Sequence, residues 1–535
     1  MKPSDYRVAE VRLLHHVAKV GDPSSENLLI RGDALSALAS LSRVREHSER
    51  YVGQVKLAYL DPPFNTQQSF LDYDDALEHS VWLTMMRDRL EQVRDLLARD
   101  GSIWVHCDDS EQAYLKVMMD EVFGRDAFMG TVVWEKLKGR DNRTALSSVH
   151  DYILVYAPDR KTWTERRNRL MFGDEQYARY KNPDNDSRGP WTSGDATAQG
   201  GHGTKEQFYS LDTPTGRALR PPRGRCWLYT KPRMEELNAD GRIWWGEGGG
   251  NMPRIKRFLS EKDHTGLVPR TLWTADEVGT NDSAKKESLA VSPDTEQPFD
   301  TPKPERLLAR IIEVGSNPGD LVLDPFLGSG TTAAVAHKMG RRWIGVERSR
   351  KTVETFALPR LRHVVAGEDS GGITEALAWQ GGGGFHVLDV GSSMFEDDEG
   401  QVVLADWATN GKLAEATAAQ LGFAHELDPP LSGRKGRSRL AVVDGHISCA
   451  VARLLVEQLD DGELLTVCGT SIDPQAVNEL RALRPGSRVR KIPDSLLAEY
   501  QESHRWRPRS VAAPTDDEAI VRTATTTDAQ EEVPS

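Results

Sequence analysis

The chain has 535 residues, 38% of them apolar, and its 68 basic and 81 acidic side chains give a formal net charge of −13. No run of about 18 apolar residues occurs and the N-terminus lacks the apolar stretch of a signal peptide, so we expect neither a membrane protein nor a secreted one, but a cytoplasmic protein. The four cysteines lie far apart without a CxxC pair, which argues against a disulfide framework and against a structural zinc site.

The first 160 residues alternate strand-like and helix-like patterns. Val55–Leu60 is a short apolar run typical of a buried strand, and it stops just before two prolines. Apolar residues recur at helical spacing over 80–99, and the next predicted strand covers 102–106. Such alternation predicts a mainly parallel sheet with helices on its faces.

Residues 160–300 interrupt this pattern, because they are rich in Gly, Pro, Arg, Trp and Asn, which favours irregular structure or an inserted domain. The segment 131–260 also carries 23 Lys and Arg against 16 Asp and Glu, a local balance of +7 in an acidic chain. Such a segment is either a solvated surface of uneven charge or a basic face for phosphates.

Regular patterns return at 303–366, with helices predicted at 304–315 and 331–339 and strands at 320–324 and 342–346. Four consecutive glycines from Gly381 mark another break, after which residues 385–505 again have an α/β pattern. The last 25 residues hold six acids, one Arg and almost no large apolar side chain, so we predict a disordered tail there.

The loop after the strand at 320–324 has the pattern of a cofactor site. Gly328 and Gly330 let the backbone approach a ligand closely, and the helix that follows offers free N–H groups. Glu347, at the end of the next strand, can accept hydrogen bonds from both ribose hydroxyls of an adenosine cofactor. The third glycine of the dinucleotide fingerprint and a GxxxxGK[ST] loop are both absent. The cofactor is therefore expected to be a nucleotide without a pyrophosphate. An ordinary tight βα turn is the less favoured interpretation of this pattern.

A second motif, Asp61-Pro62-Pro63-Phe64, follows the strand at 55–60. The prolines fix a rigid corner and remove two N–H donors, so that the Asp61 carboxylate and the Pro62 carbonyl form a pair of acceptors. Such a pair fits an exocyclic amino group, which has two protons to donate, and Phe64 offers a flat face for an unstacked base. A plain turn is the alternative interpretation of this tetrapeptide.

Together the two motifs resemble those of the S-adenosylmethionine-dependent amino-methyltransferases of DNA. The catalytic motif precedes the cofactor motif and a long basic segment separates them, an order that resembles the β group of these enzymes. Four further stretches are similar to the modification subunits of type III restriction–modification systems, namely 101–109, 121–124, 150–156 and 299–304. The resemblance covers residues 25–390, whereas 390–535 match no module that we can name.

The resemblance implies a Rossmann-like α/β methyltransferase fold with permuted motif order, an inserted target-recognition region and a C-terminal α/β extension. The implied segments are two parts of the methyltransferase domain (1–160 and 301–385), the target-recognition region (161–300), a C-terminal α/β domain of unknown role (386–508) and a disordered acidic tail (509–535). S-adenosyl-L-methionine is the implied cofactor, and its implied ligands are Asp33, Lys303, Asp324, Pro325, Phe326, Gly328, Ser329, Gly330, Thr331 and Glu347. Capping of the next helix is an equally good role for Asp33, and both roles can hold at once.

The implied activity is methyl transfer to the N6 amino group of adenine in duplex DNA, after the base has left the stack. Asp61 and the Pro62 carbonyl would accept hydrogen bonds from the amine, and Phe64 would stack on the base, so that positioning does the catalysis and no metal is needed. The alternatives are cytosine N4 methylation, methylation of RNA or protein nitrogen, and a methyltransferase-like subunit that only recognises DNA for a partner nuclease or helicase. Asp61 favours adenine, since cytosine N4 enzymes more often carry Ser at this position.

Double-stranded DNA is the implied substrate and the nucleoid the implied location, with a second copy of the chain or a restriction or helicase subunit as further expected partners. Phosphate and base contacts are expected from the basic residues between the motifs, namely Lys136, Lys138, Arg140, Arg143, Arg166, Arg167, Arg169, Arg223, Arg225, Arg254, Lys256 and Arg257. His106 and His150 fit satisfied structural histidines better than bases. Core packing explains the tryptophans of 160–300 as well as DNA contact does.

Overall fold

The computed structural model describes residues 10–65, 78–171, 177–261, 266–291, 299–398, 401–406 and 410–492. The predicted tail at 509–535 and the end of the predicted domain at 386–508 lie outside the described residues. The chain divides into two compact units, one of Leu14–Ser42 with Glu49–Val390 and the other of Met1–Leu13 with Arg43–Ser48 and Gly391–Ser535. Among the described residues, no helix is long and apolar enough to cross a membrane.

The chain up to residue 171 alternates strands and helices, as its sequence pattern predicts. The strands are β1 (Leu14–Gly21), β2 (Leu28–Arg31), β3 (Val55–Leu60), β4 (Leu97–Cys107), β5 (Phe128–Glu135) and β6 (His150–Tyr156). The helices are α1 (Ala34–Arg43), α2 (Arg45–Tyr51), α3 (His79–Leu96), α4 (Gln112–Phe123) and α5 (Arg160–Arg166), with a 3-10 turn at Arg125–Ala127.

Residues 177–291 hold mostly short elements, which agrees with the expected interruption. The strands are β7 (Trp191–Asp195), β8 (Thr197–Gln199), β9 (Leu211–Asp212), β10 (Ala218–Leu219), β11 (Arg225–Trp227), β12 (Ile243–Trp244), β13 (Arg254–Phe258) and β14 (Leu272–Trp273). The helices are α6 (Lys231–Ala239), α7 (Ala275–Val278) and α8 (Asn281–Val291), with 3-10 turns at Gly200–His202, Lys205–Gln207 and Leu259–Glu261. The insert has a core of its own, in which Trp227, Met234 and Trp245 are buried. Packing therefore accounts for these two tryptophans.

Longer elements return after residue 299. The strands are β15 (Leu321–Asp324), β16 (Arg342–Glu347) and β17 (Gly384–Val390). The helices are α9 (Glu305–Gly315), α10 (Thr331–Lys338), α11 (Arg350–Thr352) and α12 (Leu358–Ala366), and a π-helical stretch at Val353–Ala357 joins the last two.

Ten strands of the larger unit form one sheet in the order β1-β17-β2-β16-β15-β3-β4-β6-β5-β14. The six strands from β17 to β4 are parallel, and β1 and β6 run antiparallel to their neighbours. Successive residues of β3 belong to different cores, with Leu57 and Tyr59 under α9 and α10 and Ala58 and Leu60 under α1 and α3. Both faces are thus covered by helices, and the predicted α/β fold is confirmed.

In the second unit the described strands are β18 (Phe395–Asp398), β19 (Gln401–Leu404), β20 (Ala424–Asp428), β21 (Leu431–Lys435), β22 (Ser438–Ile447), β23 (Leu464–Ile472) and β24 (Arg488–Lys491). The helices are α13 (Asn410–Leu421), α14 (Cys449–Val456) and α15 (Pro474–Leu483). Strands β20 to β24 form a sheet in chain order, antiparallel as far as β22 and parallel beyond it. The α/β pattern of the sequence is present here as far as the structure describes it.

Candidate active site

The two sequence motifs end neighbouring parallel strands. β3 pairs with β15, with Ala58 opposite Leu323, so Asp61 follows β3 at the edge of the sheet where Asp324 ends β15. The carboxyl ends of parallel strands are where open α/β sheets bind their ligands. The structure thus brings the two motifs together at the edge that is suited to a ligand.

The Asp61 carboxylate has one oxygen paired and one unpaired. Lys303 Nζ donates to Asp61 Oδ2 at 2.7 Å, and the Lys303 side chain is only 9% exposed. Asp61 Oδ1 is buried and has no hydrogen-bond partner within the described part of the chain. A buried acceptor without a donor is costly, so this oxygen suits an N–H group that a ligand would bring.

The corner after Asp61 is held by α3 and by the residue that precedes α4. Trp82 Nε1, on α3, donates to the Pro63 carbonyl at 2.6 Å, and Pro62 is buried. Asn65 adopts a left-handed backbone with a φ of 60°, and its side chain donates to Glu111 Oε1 at 2.8 Å. Sequence reasoning did not single out Trp82 or Glu111, since nothing local to the motif points to either residue.

The Phe64 ring packs against a buried histidine. His106 stacks on Phe64 with ring centroids 5.5 Å apart and 27° between the planes. His106 is fully buried, with Nδ1 3.0 Å from the Tyr59 hydroxyl and Nε2 3.3 Å from Asp151 Oδ2. Lys136 donates to Asp151 Oδ1 at 2.6 Å. Burial would raise the pKa of Asp151, but its bonds with His106 and Lys136 lower that pKa to about 2. His106 is therefore a satisfied structural histidine that supports the Phe64 ring.

The loop after β15 has the geometry of a close backbone approach. Gly328 and Gly330 have φ values of 52° and 85°, and a Cβ on Gly328 would lie 3.2 Å from the Phe299 ring. Glu347 accepts hydrogen bonds from Gly328 N at 2.9 Å and from Ser349 N at 2.8 Å, one on each oxygen. A carboxylate has about four acceptor sites, so Glu347 keeps capacity for two ribose hydroxyls. These residues fit the ribose of an adenosine cofactor.

Asp324 is buried beneath this loop, and its Oδ1 accepts a hydrogen bond from Phe326 N at 2.9 Å. Burial raises the pKa of Asp324 to about 7, and the negative charges of Asp61 and Glu347 contribute to the rise. Three carboxyl groups at one edge of the sheet favour a cationic ligand. In the described ranges, no group of three or more His, Cys, Asp or Glu side chains is arranged to hold a metal ion.

The remaining motif side chains near the loop point into the protein. Ser329 Oγ lies 3.2 Å from Thr331 Oγ1, to which Arg360 donates at 2.9 Å. Pro325 is buried, and Phe326 packs against the core under α1 and α3. A cofactor would therefore meet the backbone N–H groups of Ser329 and Thr331 rather than their hydroxyls.

Asp33 lies at the same edge, beyond β16. It follows β2, in which Arg31 is opposite Glu347. Its Oδ1 accepts from Leu35 N at 2.9 Å, and Arg89 of α3 donates to both carboxylate oxygens at 3.0 and 2.8 Å. The helix-capping role that the sequence left open is present, and Asp33 follows β2 at the sheet edge where Glu347 ends β16, which is compatible with the cofactor role.

The basic residues expected to contact DNA fall into two groups. Several are bonded within the protein, as in the pairs Lys136–Asp151, Lys138–Asp276, Arg143–Asp141, Arg166–Asp100, Arg225–Asp195 and Arg254–Asp195. Lys256 is buried between Asp184 and Asp186, so the expectation of DNA contact is wrong for this residue. Others are exposed and have no ion pair within the described residues, namely Arg140, Arg223 and Arg257, together with Arg217 and Arg220, which sequence reasoning missed.

The chain is similar to known proteins over the region that holds both motifs. A family model described as DNA methylase matches residues 55–358, more than half of the chain. The HindVI Mod subunit of Haemophilus influenzae is 33% identical over 447 residues, which are 72% of this chain and 56% of that protein. The type II methyltransferase M.EcaI of Enterobacter cloacae is 32% identical over 57% of this chain and 66% of its own length.

A third relative is the type III restriction-modification enzyme StyLTI Mod subunit of Salmonella typhimurium, 32% identical over 60% of this chain and 51% of its own length. The chain thus spans about half to two thirds of the length of the curated relatives that it matches. The residues matched by the family model include the Asp61 corner, the glycine loop and Glu347. The chain belongs to the DNA methylase family.

Proposed function

We propose that this chain transfers a methyl group from S-adenosyl-L-methionine to the N6 amino group of adenine in duplex DNA. One observation carries the proposal: the unpaired, buried Asp61 Oδ1 lies at the sheet edge that also holds the glycine loop and Glu347. The site thus holds a hydrogen-bond acceptor for an amine at the same sheet edge as residues that fit an adenosine cofactor. This arrangement supports methylation of an amino group.

When bound, S-adenosylmethionine supplies a methyl group that is already activated on a sulfonium centre. Glu347 would hold the ribose hydroxyls, and the N–H groups at the start of α10 would contact the cofactor through the glycine loop. Lys303 would hold the carboxylate of the methionine portion, and Asp61 and Asp324 would favour the positive charge nearby. The chain would thus contribute binding and orientation.

Asp61 Oδ1 and the Pro62 carbonyl would accept hydrogen bonds from the two N–H groups of the adenine amine and would draw its nitrogen toward a tetrahedral form, so that its lone pair becomes available to take the methyl group. The proton that the methylated nitrogen must lose leaves through the Asp61 carboxylate. Taking a base out of the duplex costs roughly a few kcal/mol, and stacking on Phe64 offsets part of this cost. His106 keeps the Phe64 ring in place for the incoming base.

The similarity to Mod subunits supports a place in a restriction–modification or related defence system. We infer that this chain is the modification subunit, acting on double-stranded DNA of the nucleoid, with a second copy of itself or a nuclease or helicase subunit as partner. The similarity to a type II methyltransferase supports methyl transfer by this chain itself.

The test is expression of this chain alone in a host without adenine methylation, followed by long-read sequencing that detects modified bases. We expect N6-methyladenine at one short sequence motif, and its loss in the Asp61→Ala variant. Asp95→Ala is the matched control, because Asp95 is exposed on α3. Detection of N4-methylcytosine at a fixed motif would show that the substrate base is cytosine and not adenine. If no base is modified but the purified chain binds DNA at a specific sequence, the transferase function is wrong and the chain is a DNA-recognition subunit.

A further inference from the structure

The loop between β5 and β6, residues 136–149, leaves the sheet at the edge that holds the catalytic corner. β4 is parallel to β3, and β6 is antiparallel to β4, with Tyr152 opposite Cys107. β5 is antiparallel to β6, with Glu135 opposite His150. The loop therefore begins and ends at the same edge of the sheet as the carboxyl end of β3, two and three strands away from Asp61.

A chain of contacts joins the base of this loop to Phe64. Lys136, the first residue of the loop, donates to Asp151, and the other oxygen of Asp151 lies 3.3 Å from His106. His106 in turn stacks on the Phe64 ring. Two side chains thus separate the loop from the ring proposed to receive the target base.

The loop carries one strongly exposed apolar side chain and two exposed arginines. Leu146 is 90% exposed, more than any other large apolar side chain among the described residues. Asp141 N donates to Ser147 Oγ at 2.9 Å, which folds the tip back on itself. Arg140 and Arg143 are both exposed, and Arg143 pairs with Asp141 of the same loop. An exposed apolar side chain in the same loop as an exposed Arg140, which has no ion pair among the described residues, suits a polyanion that this loop can enter.

A cavity of about 860 Å³ lies between the loop and the residues around α7 and α8. Thr144, Ser147, Ser148, Thr280 and Ser283 are among the residues that line it. Hydroxyl side chains are common donors to the phosphates and sugars of DNA. Four basic and three acidic side chains also line the cavity, so that its lining suits a polar nucleic-acid backbone better than an apolar ligand.

We infer that this loop enters the duplex when DNA binds, with Leu146 filling the space left by the flipped base and Arg140 contacting a flanking phosphate. The inference rests on the proposed function, in which the target base leaves the stack. Apolar side chains inserted between base steps are a general way to stabilise a distorted duplex. The strand that carries the target base would run along the cavity.

The experiment compares the wild-type chain with Leu146→Ala on two duplexes. In one, the target adenine pairs with thymine; in the other, it faces an abasic site and is already unpaired. We expect single-turnover methylation by the variant to slow by about tenfold or more on the paired duplex and to stay near the wild-type rate on the other. Leu454→Ala is the matched control, because Leu454 is an exposed leucine of α14, and it should leave both rates unchanged.

Fluorescence of 2-aminopurine at the target position gives a second readout that needs no methyl transfer. We expect a smaller rise on binding of Leu146→Ala to the paired duplex and a wild-type rise on the abasic one. Equal slowing on both duplexes would overturn the inference. A variant that is impaired only in base flipping should recover its rate when the target base is already unpaired. Wild-type behaviour of the variant on the paired duplex would overturn it as well. If the wild-type chain methylates neither duplex, the proposed function fails, and the fluorescence still decides the role of the loop.

Discussion

Lys303 donates a hydrogen bond of 2.7 Å to Asp61 Oδ2, and its ammonium group lies 5.2 Å from the centroid of the Phe64 ring. One cation thus contacts both residues that are proposed to receive the target base. A bound methionine carboxylate would compete with Asp61 for this ammonium group. Cofactor binding would then leave Asp61 Oδ2 without its cation, whereas Oδ1, the proposed acceptor for the adenine amine, has no partner among the described residues to lose.

The first prediction concerns this cation. Lys303→Met should weaken S-adenosylmethionine binding by about ten- to a hundredfold, the worth of one charge-assisted hydrogen bond. 5′-Methylthioadenosine lacks the carboxylate and should bind the variant and the wild-type chain equally. Isothermal titration calorimetry measures the affinity of each variant for both ligands. Lys161→Met is the control, because Lys161 is exposed on α5. Equal weakening of both ligands would contradict a carboxylate contact.

Asp61 should matter for methyl transfer far more than for cofactor affinity. Asp61→Ala removes the acceptor for the amine, so we expect the methylation rate to fall by at least about 10²–10⁴-fold. The dissociation constant of S-adenosylmethionine should change far less than the rate, because Lys303, Glu347 and the glycine loop, which are proposed to hold the cofactor, remain in the variant. A radiolabelled methyl-transfer assay and a binding titration separate the two effects. Parallel loss of rate and affinity would count against this assignment.

A buried ionic network stabilises the helices around the glycine loop. Glu305 accepts from Lys338 Nζ at 2.8 Å and from Arg360 at 2.7 Å, and Asp369 pairs with Lys338. Glu305→Ala would leave two buried cations with one carboxylate, which should lower the free energy of unfolding by about 3–5 kcal/mol. Urea denaturation measures this, with the exposed Glu375→Ala as control. A loss below about 1 kcal/mol would contradict the network's role.

The pKa of Asp324 makes stability depend on pH. Burial raises this pKa from its ordinary value of 3.8 to about 7, so folding favours the protonated carboxyl. The stability that this group contributes is present below pH 4 and is lost as the pH rises through 7. Asp324→Asn removes this dependence. The stability of the variant relative to wild type should therefore grow by about 2–3 kcal/mol between pH 5 and 8. Urea denaturation at several pH values measures the difference in the free energy of unfolding between variant and wild type. If this difference does not depend on pH, the pKa of Asp324 is not raised.

The exposed arginines of the insert should give DNA binding a steep salt dependence. Each phosphate contact contributes about one unit to the slope of log affinity against log salt, so Arg220→Gln and Arg223→Gln should each lower the slope by about one. Arg99→Gln is the control, because Arg99 lies at the start of β4, at the opposite edge of the sheet from Asp61. Fluorescence anisotropy over a range of salt concentrations measures the slope. If neither substitution changes the slope, neither Arg220 nor Arg223 contacts a DNA phosphate.

The elements and the two motifs were predictable because their signals are local. The apolar run of Val55–Leu60 and the glycines at 328 and 330 act through neighbouring residues, and the structure has a strand and a tight loop at these places. The bond between Lys303 and Asp61 spans 242 positions, and it follows from the order of the strands in the sheet. Nothing within a few residues of either side chain encodes that order.

By itself, the sequence indicated the main strands and helices around the two motifs, and it showed that a candidate amine acceptor and a candidate cofactor loop each directly follow a strand. Tertiary structure alone decided which charges remain free. Lys256 and Arg220 look alike in a basic segment, yet one is buried between two aspartates and the other is exposed. The physical reason is that burial and ion pairing depend on residues distant in the chain, whereas strand and turn propensities depend on near neighbours.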